Sequence, residues 1–151
     1  MNTTHEYRIA AKSTVVRSGV ATAEGIEPRI SFSAPPEFKG QAGHWTPEHF
    51  FVAAVASCYL STFSGLASNS NFEFYSLELR AEGIVAKDQD GWRFREVVLR
   101  PRLTIAHSED KERGSRLLRK AERSCLIGRS IACPIALDSV VIIEEQPVLS
   151  R

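Results

Sequence analysis

The residues best suited to chemistry in this chain are its three cysteines, Cys58, Cys125 and Cys133. A cysteine reacts as the thiolate, and two thiols that meet can form a disulfide and be reduced again. Cys58 lies in a long apolar segment, and Cys125 follows 67 positions later at the end of a second predicted helix. An apolar setting also suits a small core residue. The sequence therefore leaves two interpretations of Cys58 and Cys125, as a reactive pair or as buried core residues. Cys133, which precedes Pro134, is a third candidate for a reactive thiol.

The histidines form no metal-binding pattern in the sequence. His44 and His49 are five residues apart and straddle a predicted helix start, whereas His5 and His107 are isolated. The sequence has neither a CxxC nor an HExxH spacing, and it has no glycine-rich phosphate loop. We therefore expect no metal site.

The helix that should carry Cys58 has a clear start signal. Thr46 can cap the free amide groups, Pro47 suits the first helical position, and Glu48 favours the positive end of the helix dipole. The pattern predicts a helix that runs to about Ser68.

The composition of this helix predicts burial. Between residues 50 and 59 the only polar side chain is Ser57, so the helix is apolar nearly all round. It is too short, and too rich in Ser and Thr beyond Leu60, for a convincing membrane span. Small residues recur every four positions and would let another helix approach closely, or would pack in the core. They are Ala53, Ser57, Ser61 and Gly65.

The remaining elements predict an α+β fold in a single domain that covers residues 1–151. A second helix opens at Ser108 with an acidic first turn and has a plausible stop at Gly128. The order strands, helix, strands, helix, strand predicts a mostly antiparallel sheet with a long buried central helix. The strand candidates cover residues 7–17, 20–26, 29–34, 76–86, 92–105 and 140–144.

Charge and composition limit the kinds of partner. Nineteen basic and eighteen acidic residues leave a net charge of +1, without the basic excess of most nucleic-acid binders. Basic residues of the second helix interleave with acidic ones, which favours a solvated face. Three cysteines do not make a secreted disulfide scaffold, and residues 1–12 lack the apolar part of a signal peptide. We therefore expect a cytoplasmic protein with no nucleic-acid or membrane partner.

Several segments resemble the OsmC/Ohr superfamily of osmotically inducible and organic-hydroperoxide-resistance proteins. Residues 46–58, TPEHFFVAAVASC, resemble the family helix in which a Pro-Glu pair precedes the peroxidatic cysteine by ten residues. Residues 121–125, AERSC, resemble the helix end that carries the resolving cysteine, although Cys133-Pro134 is similar to a Cys-Pro step in many members. The turn at residues 17–19, the strand that ends at Ser33 and residues 36–40 together resemble the family's N-terminal region, which places Arg17 on the family's arginine.

The resemblance implies a peroxidase that needs no metal, haem or flavin. Cys58 would attack an organic hydroperoxide, Cys125 would form the disulfide, and an external dithiol, of the dihydrolipoyl type, would reduce it. Arg17 would hold Cys58 as the thiolate, since burial alone raises a thiol pKa, and Glu48 would pair with Arg17. Apolar side chains would line the pocket for the organic tail, namely Phe50, Phe51 and Phe63.

Helix geometry adds an expectation about assembly. Glu48 and Cys58 lie about 15 Å apart on one straight helix, at 1.5 Å per residue. A single arginine does not bridge that distance, so either the helix is broken or Glu48 and Arg17 come from a second subunit. The second explanation agrees with the intertwined homodimer that the resemblance implies.

Two other functions remain open from the sequence. One is a redox-sensing or ligand-binding protein of this fold, in which Cys58 is modified with little peroxidase turnover. The other is a structural homodimer whose cysteines are core residues.

Overall fold

A computed structural model of the protein describes residues 3–145. It confirms the α+β class. The chain divides into two compact units, one up to Phe51 and one from Val52 onward.

The first unit contains a three-stranded antiparallel sheet in the order β1-β2-β3. Its strands are β1 (Ala10–Ser13), β2 (Ser18–Ala23) and β3 (Ile26–Ser33). Gly25 turns the chain between β2 and β3 with φ of 72°, which glycine adopts without strain. The predicted hairpin is therefore present, and the predicted first strand is shorter because a turn occupies residues 14–17.

Helix α1 (Pro47–Asn69) begins where the sequence predicts. The Thr46 hydroxyl accepts a hydrogen bond from the His49 amide at 3.2 Å. The His49 Nδ1 atom in turn accepts one from the Thr46 amide at 3.1 Å. This reciprocal pair has the form of a capping box, with histidine in the place that Glu or Gln usually takes.

The second unit is built around a mixed sheet. Strands β4 (Ser76–Asp88) and β5 (Gly91–Ile105) form a long antiparallel hairpin. Strands β6 (Ile135–Leu137) and β7 (Val140–Ile143) both pair with β5 in parallel. The sheet is therefore mixed rather than mostly antiparallel, because a helical crossover returns the chain to β5 in its own direction.

The crossover contains two helices where the sequence predicts one. A 3-10 turn at Ser108–Asp110 leads into α2 (Lys111–Ser124), and α3 (Leu126–Ser130) follows. Cys125 separates them with extended backbone angles, φ of −62° and ψ of 118°. The predicted second helix is thus interrupted at Cys125, and a separate short helix follows it.

The core of the second unit joins α1, β5 and α2. The Tyr59 hydroxyl donates a hydrogen bond to the Leu118 carbonyl at 3.1 Å and ties α1 to α2. The buried side chains of these elements include Val55, Tyr59, Phe63, Leu99, Leu103 and Leu118.

Helix α1 is not buried all round, contrary to the sequence prediction. One stripe is buried, consisting of Val55, Tyr59, Phe63 and Ala67, while Ser57, Ser61 and Gly65 on the opposite side are exposed. By length and composition alone α1 is a candidate membrane span, with mean hydropathy 1.6 over an 18-residue window of which 22% is buried. The expectation that it does not cross a membrane stays a prediction.

Candidate functional site

Cys58 lies near the middle of α1 and is half-buried. Its sulfur is 4.0 Å from the hydroxyl oxygen of Thr62, one helical turn further along. Residues four positions apart share a helix face, so this hydroxyl is held beside the thiol by the helix itself. A partly accessible thiol with a hydroxyl neighbour can both react and be stabilised as the thiolate.

Cys125 occupies the break between α2 and α3 and is 1% exposed. Its sulfur accepts a hydrogen bond from the Gly128 amide at 3.5 Å and so caps the first turn of α3. A Cβ atom on Gly128 would lie 3.6 Å from this sulfur and 2.8 Å from Cδ1 of Ile135. The absence of a side chain at position 128 therefore lets α3 pack closely against Ile135 of β6.

The two thiols meet in the folded chain. The Cys58 and Cys125 thiols lie close enough to shift each other's pKa, and the backbone of Leu126 and Ile127 lies close enough to the Cys58 sulfur to lower the pKa of that thiol. The segment that begins α3 thus supplies both the second thiol and two backbone donors. The structure brings together the two cysteines that the sequence analysis selected.

The surroundings shift the two thiol pKa values in opposite directions. Burial acts to raise the pKa of Cys58, but hydrogen bonds from the Ile127 amide, the Cys125 thiol, the Thr62 hydroxyl and the Leu126 amide together bring it below its ordinary value. Burial raises the pKa of Cys125, and the neighbouring Cys58 raises it further, against the opposing Gly128 amide. Cys58 is therefore the more acidic thiol of the pair, and Cys125 is the less acidic one.

Arg17 lies in the turn between β1 and β2 and is exposed. Its φ of 63° is uncommon for a residue other than glycine. The Arg17 carbonyl accepts a hydrogen bond from the Ala34 amide at 2.8 Å, which fixes the turn against the end of β3. The backbone at Arg17 is therefore held in place while its side chain is accessible.

Glu48 is half-buried in the first turn of α1, and its Oε2 atom is buried without a hydrogen-bond partner among residues 3–145. The ion pairs of these residues do not include one between Arg17 and Glu48. The predicted pair is thus absent from the single chain. A buried carboxylate oxygen without a donor is costly, so Glu48 is able to accept a hydrogen bond that residues 3–145 do not supply.

Residues 40–139 match the model of the OsmC-like protein family. The chain belongs to the OsmC-like protein family. It is 28% identical over 130 residues to the uncharacterized protein YmaD of Bacillus subtilis. The aligned region covers 84% of this chain and 87% of that protein.

Solved structures show the same fold. An OsmC-like protein of unknown function from Vibrio cholerae superimposes with a TM-score of 0.81 at 21% identity, covering 91% of this chain and all of the other. An organic hydroperoxide resistance protein from Legionella pneumophila gives a TM-score of 0.76 at 18% identity, covering 94% of this chain and all of the other. The OsmC-like fold is therefore shared across these proteins at low sequence identity.

The aromatic residues predicted to line a substrate pocket of this OsmC-like chain have different positions. Phe63 is fully buried, with its ring centre 5.3 Å from that of Phe74, so it is a core residue and not part of an open pocket. Phe50 is half-buried and stacks on Trp45, with ring centres 5.9 Å apart. Phe51 is also half-buried. Of the three predicted pocket residues, Phe50 and Phe51 are therefore the two that are partly accessible, and their role in a pocket stays a prediction.

Sequence reasoning missed the donors around the Cys58 sulfur. The contact of Thr62 with Cys58 could have been predicted, since Thr62 lies four residues after Cys58 on the same predicted helix. The contacts of the Leu126 and Ile127 amides could not, because backbone donors carry no residue-type signature. Cys133 lies between α3 and β6 and is half-buried.

No group of three or more His, Cys, Asp or Glu side chains in the described part of the chain is arranged to hold a metal ion.

Proposed function

We propose that this OsmC-like chain is a thiol-dependent peroxidase that reduces organic hydroperoxides to alcohols. The observation that carries the proposal is the contact between Cys58 and Cys125, with the pKa of the more accessible thiol lowered and that of the buried thiol raised. Such an arrangement suits a nucleophile and its resolving partner, because only the thiolate attacks and the second thiol is already in place. The hydroperoxide-resistance name of the Legionella protein supports the substrate class.

In the first step the Cys58 thiolate attacks the distal oxygen of the hydroperoxide. A sulfur–oxygen bond forms, the oxygen–oxygen bond breaks, and the alkoxide takes a proton and leaves as an alcohol. Cys58 is oxidised by two electrons to a sulfenic acid. The amides of Leu126 and Ile127 and the Thr62 hydroxyl favour this step because they stabilise the thiolate before it reacts.

In the second step Cys125 attacks the sulfenic sulfur. A disulfide forms between the two sulfurs, and the hydroxyl group leaves as water with the proton from Cys125. The contact between the thiols makes this step fast relative to further oxidation of Cys58. An external dithiol, of the dihydrolipoyl type, then reduces the disulfide and is itself oxidised to a disulfide.

We further propose that Arg17 and Glu48 complete the site from a second copy of the chain. Helix α1 is continuous through Glu48 and Cys58, so ten residues separate them by about 15 Å along the axis. A broken helix is therefore excluded as the way to bring them to one site. The buried Oε2 atom of Glu48 would receive a donor from the guanidinium of Arg17.

The solvent-exposed side of α1 supports the proposed assembly of two chains. Ser57, Ser61 and Gly65 are exposed in the single chain, and small side chains permit close helix packing. A two-fold homodimer would contain two sites, each with Cys58 of one chain and Arg17 with Glu48 of the other.

The test is a peroxidase assay with dihydrolipoamide as reductant and cumene, lipid or hydrogen peroxide as oxidant. We expect dithiol consumption that depends on peroxide and is faster with the two organic peroxides. The Cys133→Ser variant is the matched control and should retain this activity. Oxidation of Cys58 without dithiol turnover would contradict the peroxidase and favour the redox-sensing alternative, whereas native thiols inert to both peroxide and alkylation would favour a structural dimer.

A further inference from the structure

The solvent side of α2 is strongly basic. At 3.6 residues per turn, five of its six basic residues fall within an arc of about 120°. The buried residues of the same helix, Leu117, Leu118 and Ala121, lie on the other side. The arc consists of Arg113, Arg116, Arg119, Lys120 and Arg123.

Acidic neighbours do not neutralise this arc. Helix α2 contains six basic and two acidic residues, in a chain whose net charge is +1. Glu112 lies at the N-terminal end of the arc and Glu122 lies beside it, yet the ion pairs of residues 3–145 do not involve α2. The acidic residues that interleave with the arc therefore form no ion pair with it among residues 3–145.

The arc lines a concave site with one cation fixed in place. A cavity of about 460 Å³ is bounded by the five basic residues together with Ser70 and Leu117. Arg113 is half-buried, donates a hydrogen bond to the Ser70 carbonyl, and holds its guanidinium carbon 5.4 Å from the centre of the Phe72 ring. These contacts orient Arg113 without neutralising its charge.

We propose that this cavity binds a small molecule that carries two or more adjoining phosphate groups. Four of the five cations are arginines, whose planar donors match phosphate oxygens in pairs. All five cations line the same cavity, so together they can offset the several negative charges that adjoining phosphate groups carry. The cavity volume is within the range of small-molecule sites, whereas a protein partner needs about 800 Å² of surface on each side.

The test is calorimetric titration of the full chain with inorganic tripolyphosphate at low ionic strength. We expect saturable binding, weakened about tenfold or more by Arg116→Gln combined with Lys120→Gln. Both side chains are exposed, so the variant should fold, which its circular dichroism spectrum checks. The control is Lys87→Gln combined with Arg102→Gln, which removes the same charges from exposed positions of β4 and β5 and should bind as the wild type does.

An equal loss of affinity in the two variants would overturn the proposal, because the affinity for tripolyphosphate would then depend on the net charge of the protein and not on this cavity. Absence of tripolyphosphate binding would also overturn it. Binding of polyglutamate in place of tripolyphosphate would assign the face to an acidic protein instead. The readout is independent of peroxidase activity, so its failure leaves the proposed function unaffected.

Discussion

The thiols of Cys58 and Cys125 lie close enough to shift each other's pKa although 67 residues separate them in the chain. Contacts in the hydrophobic core hold both cysteines in position. Tyr59, next to Cys58, donates its hydroxyl to the Leu118 carbonyl on the helix that ends before Cys125. The pair is thus held by buried contacts rather than by an exposed loop, which is the preorganisation that disulfide formation requires.

The first prediction concerns the pH dependence of Cys58 reactivity. Its pKa is below the ordinary cysteine value, and only the thiolate is alkylated, so its alkylation rate should reach half its maximum at a lower pH than that of an unperturbed cysteine. Cys125→Ala removes a hydrogen-bond donor to the sulfur and should move this midpoint to higher pH. Alkylation with iodoacetamide, followed by mass spectrometry of the Cys58 peptide, measures it.

The control for this experiment is Cys133→Ala, which should leave the Cys58 profile unchanged. A wild-type midpoint at or above the ordinary value would contradict the role given to the amides of Leu126 and Ile127.

The second prediction concerns Arg17. Arg17→Met keeps much of the bulk but removes the charge, so the pKa of Cys58 in the assembled protein should rise and its reaction with peroxide should slow. Stopped-flow measurement of peroxide consumption, beside the alkylation profile, tests this. If both stay as in the wild type while Arg29→Met changes them, Arg29 is the cation instead.

The third prediction concerns shared sites. Cys58→Ser chains, which should be inactive alone, and Arg17→Met chains, which should be slow alone, should regain up to about a quarter of wild-type activity when unfolded and refolded together. Half of the dimers are then mixed, and each mixed dimer restores one of its two sites. Verified mixed dimers without any recovery would place both groups on one chain.

The fourth prediction concerns Phe63, which is a core residue here. Phe63→Ala should lower the free energy of unfolding by about 3–5 kcal/mol, because it removes a fully buried ring that packs on Phe74. Phe51→Ala, at a half-buried position, should cost less. Urea denaturation compares the two. A Phe63→Ala protein of native stability with altered peroxide preference would restore Phe63 to the substrate pocket.

Much of the fold could be predicted from the sequence because local conformational preferences determine it. The cap at Thr46 and the turn between β4 and β5 use residues whose conformational preferences are strong. Strand β6 has only three residues, too few for a periodic signal, and its parallel pairing with β5 depends on the crossover rather than on its own sequence. The apolar composition of α1 predicted full burial, but the single chain covers only one side of it.

The candidate site was readable only in part. Side-chain type and spacing identified Cys58 and Cys125, but their contact depends on tertiary packing between α1 and the start of α3. The backbone donors to Cys58 are invisible in a sequence. The Arg17–Glu48 pair rested on resemblance alone, and the single chain does not form it.

The pairing of Cys58 with Cys125 is tested most directly by disulfide mapping with mass spectrometry after one equivalent of cumene hydroperoxide. We expect a Cys58–Cys125 disulfide in the wild type, no oxidation of the pair in Cys58→Ser, and a Cys58 sulfenic acid or mixed disulfide in Cys125→Ser. A Cys125–Cys133 disulfide with Cys58 left as a free thiol would contradict it.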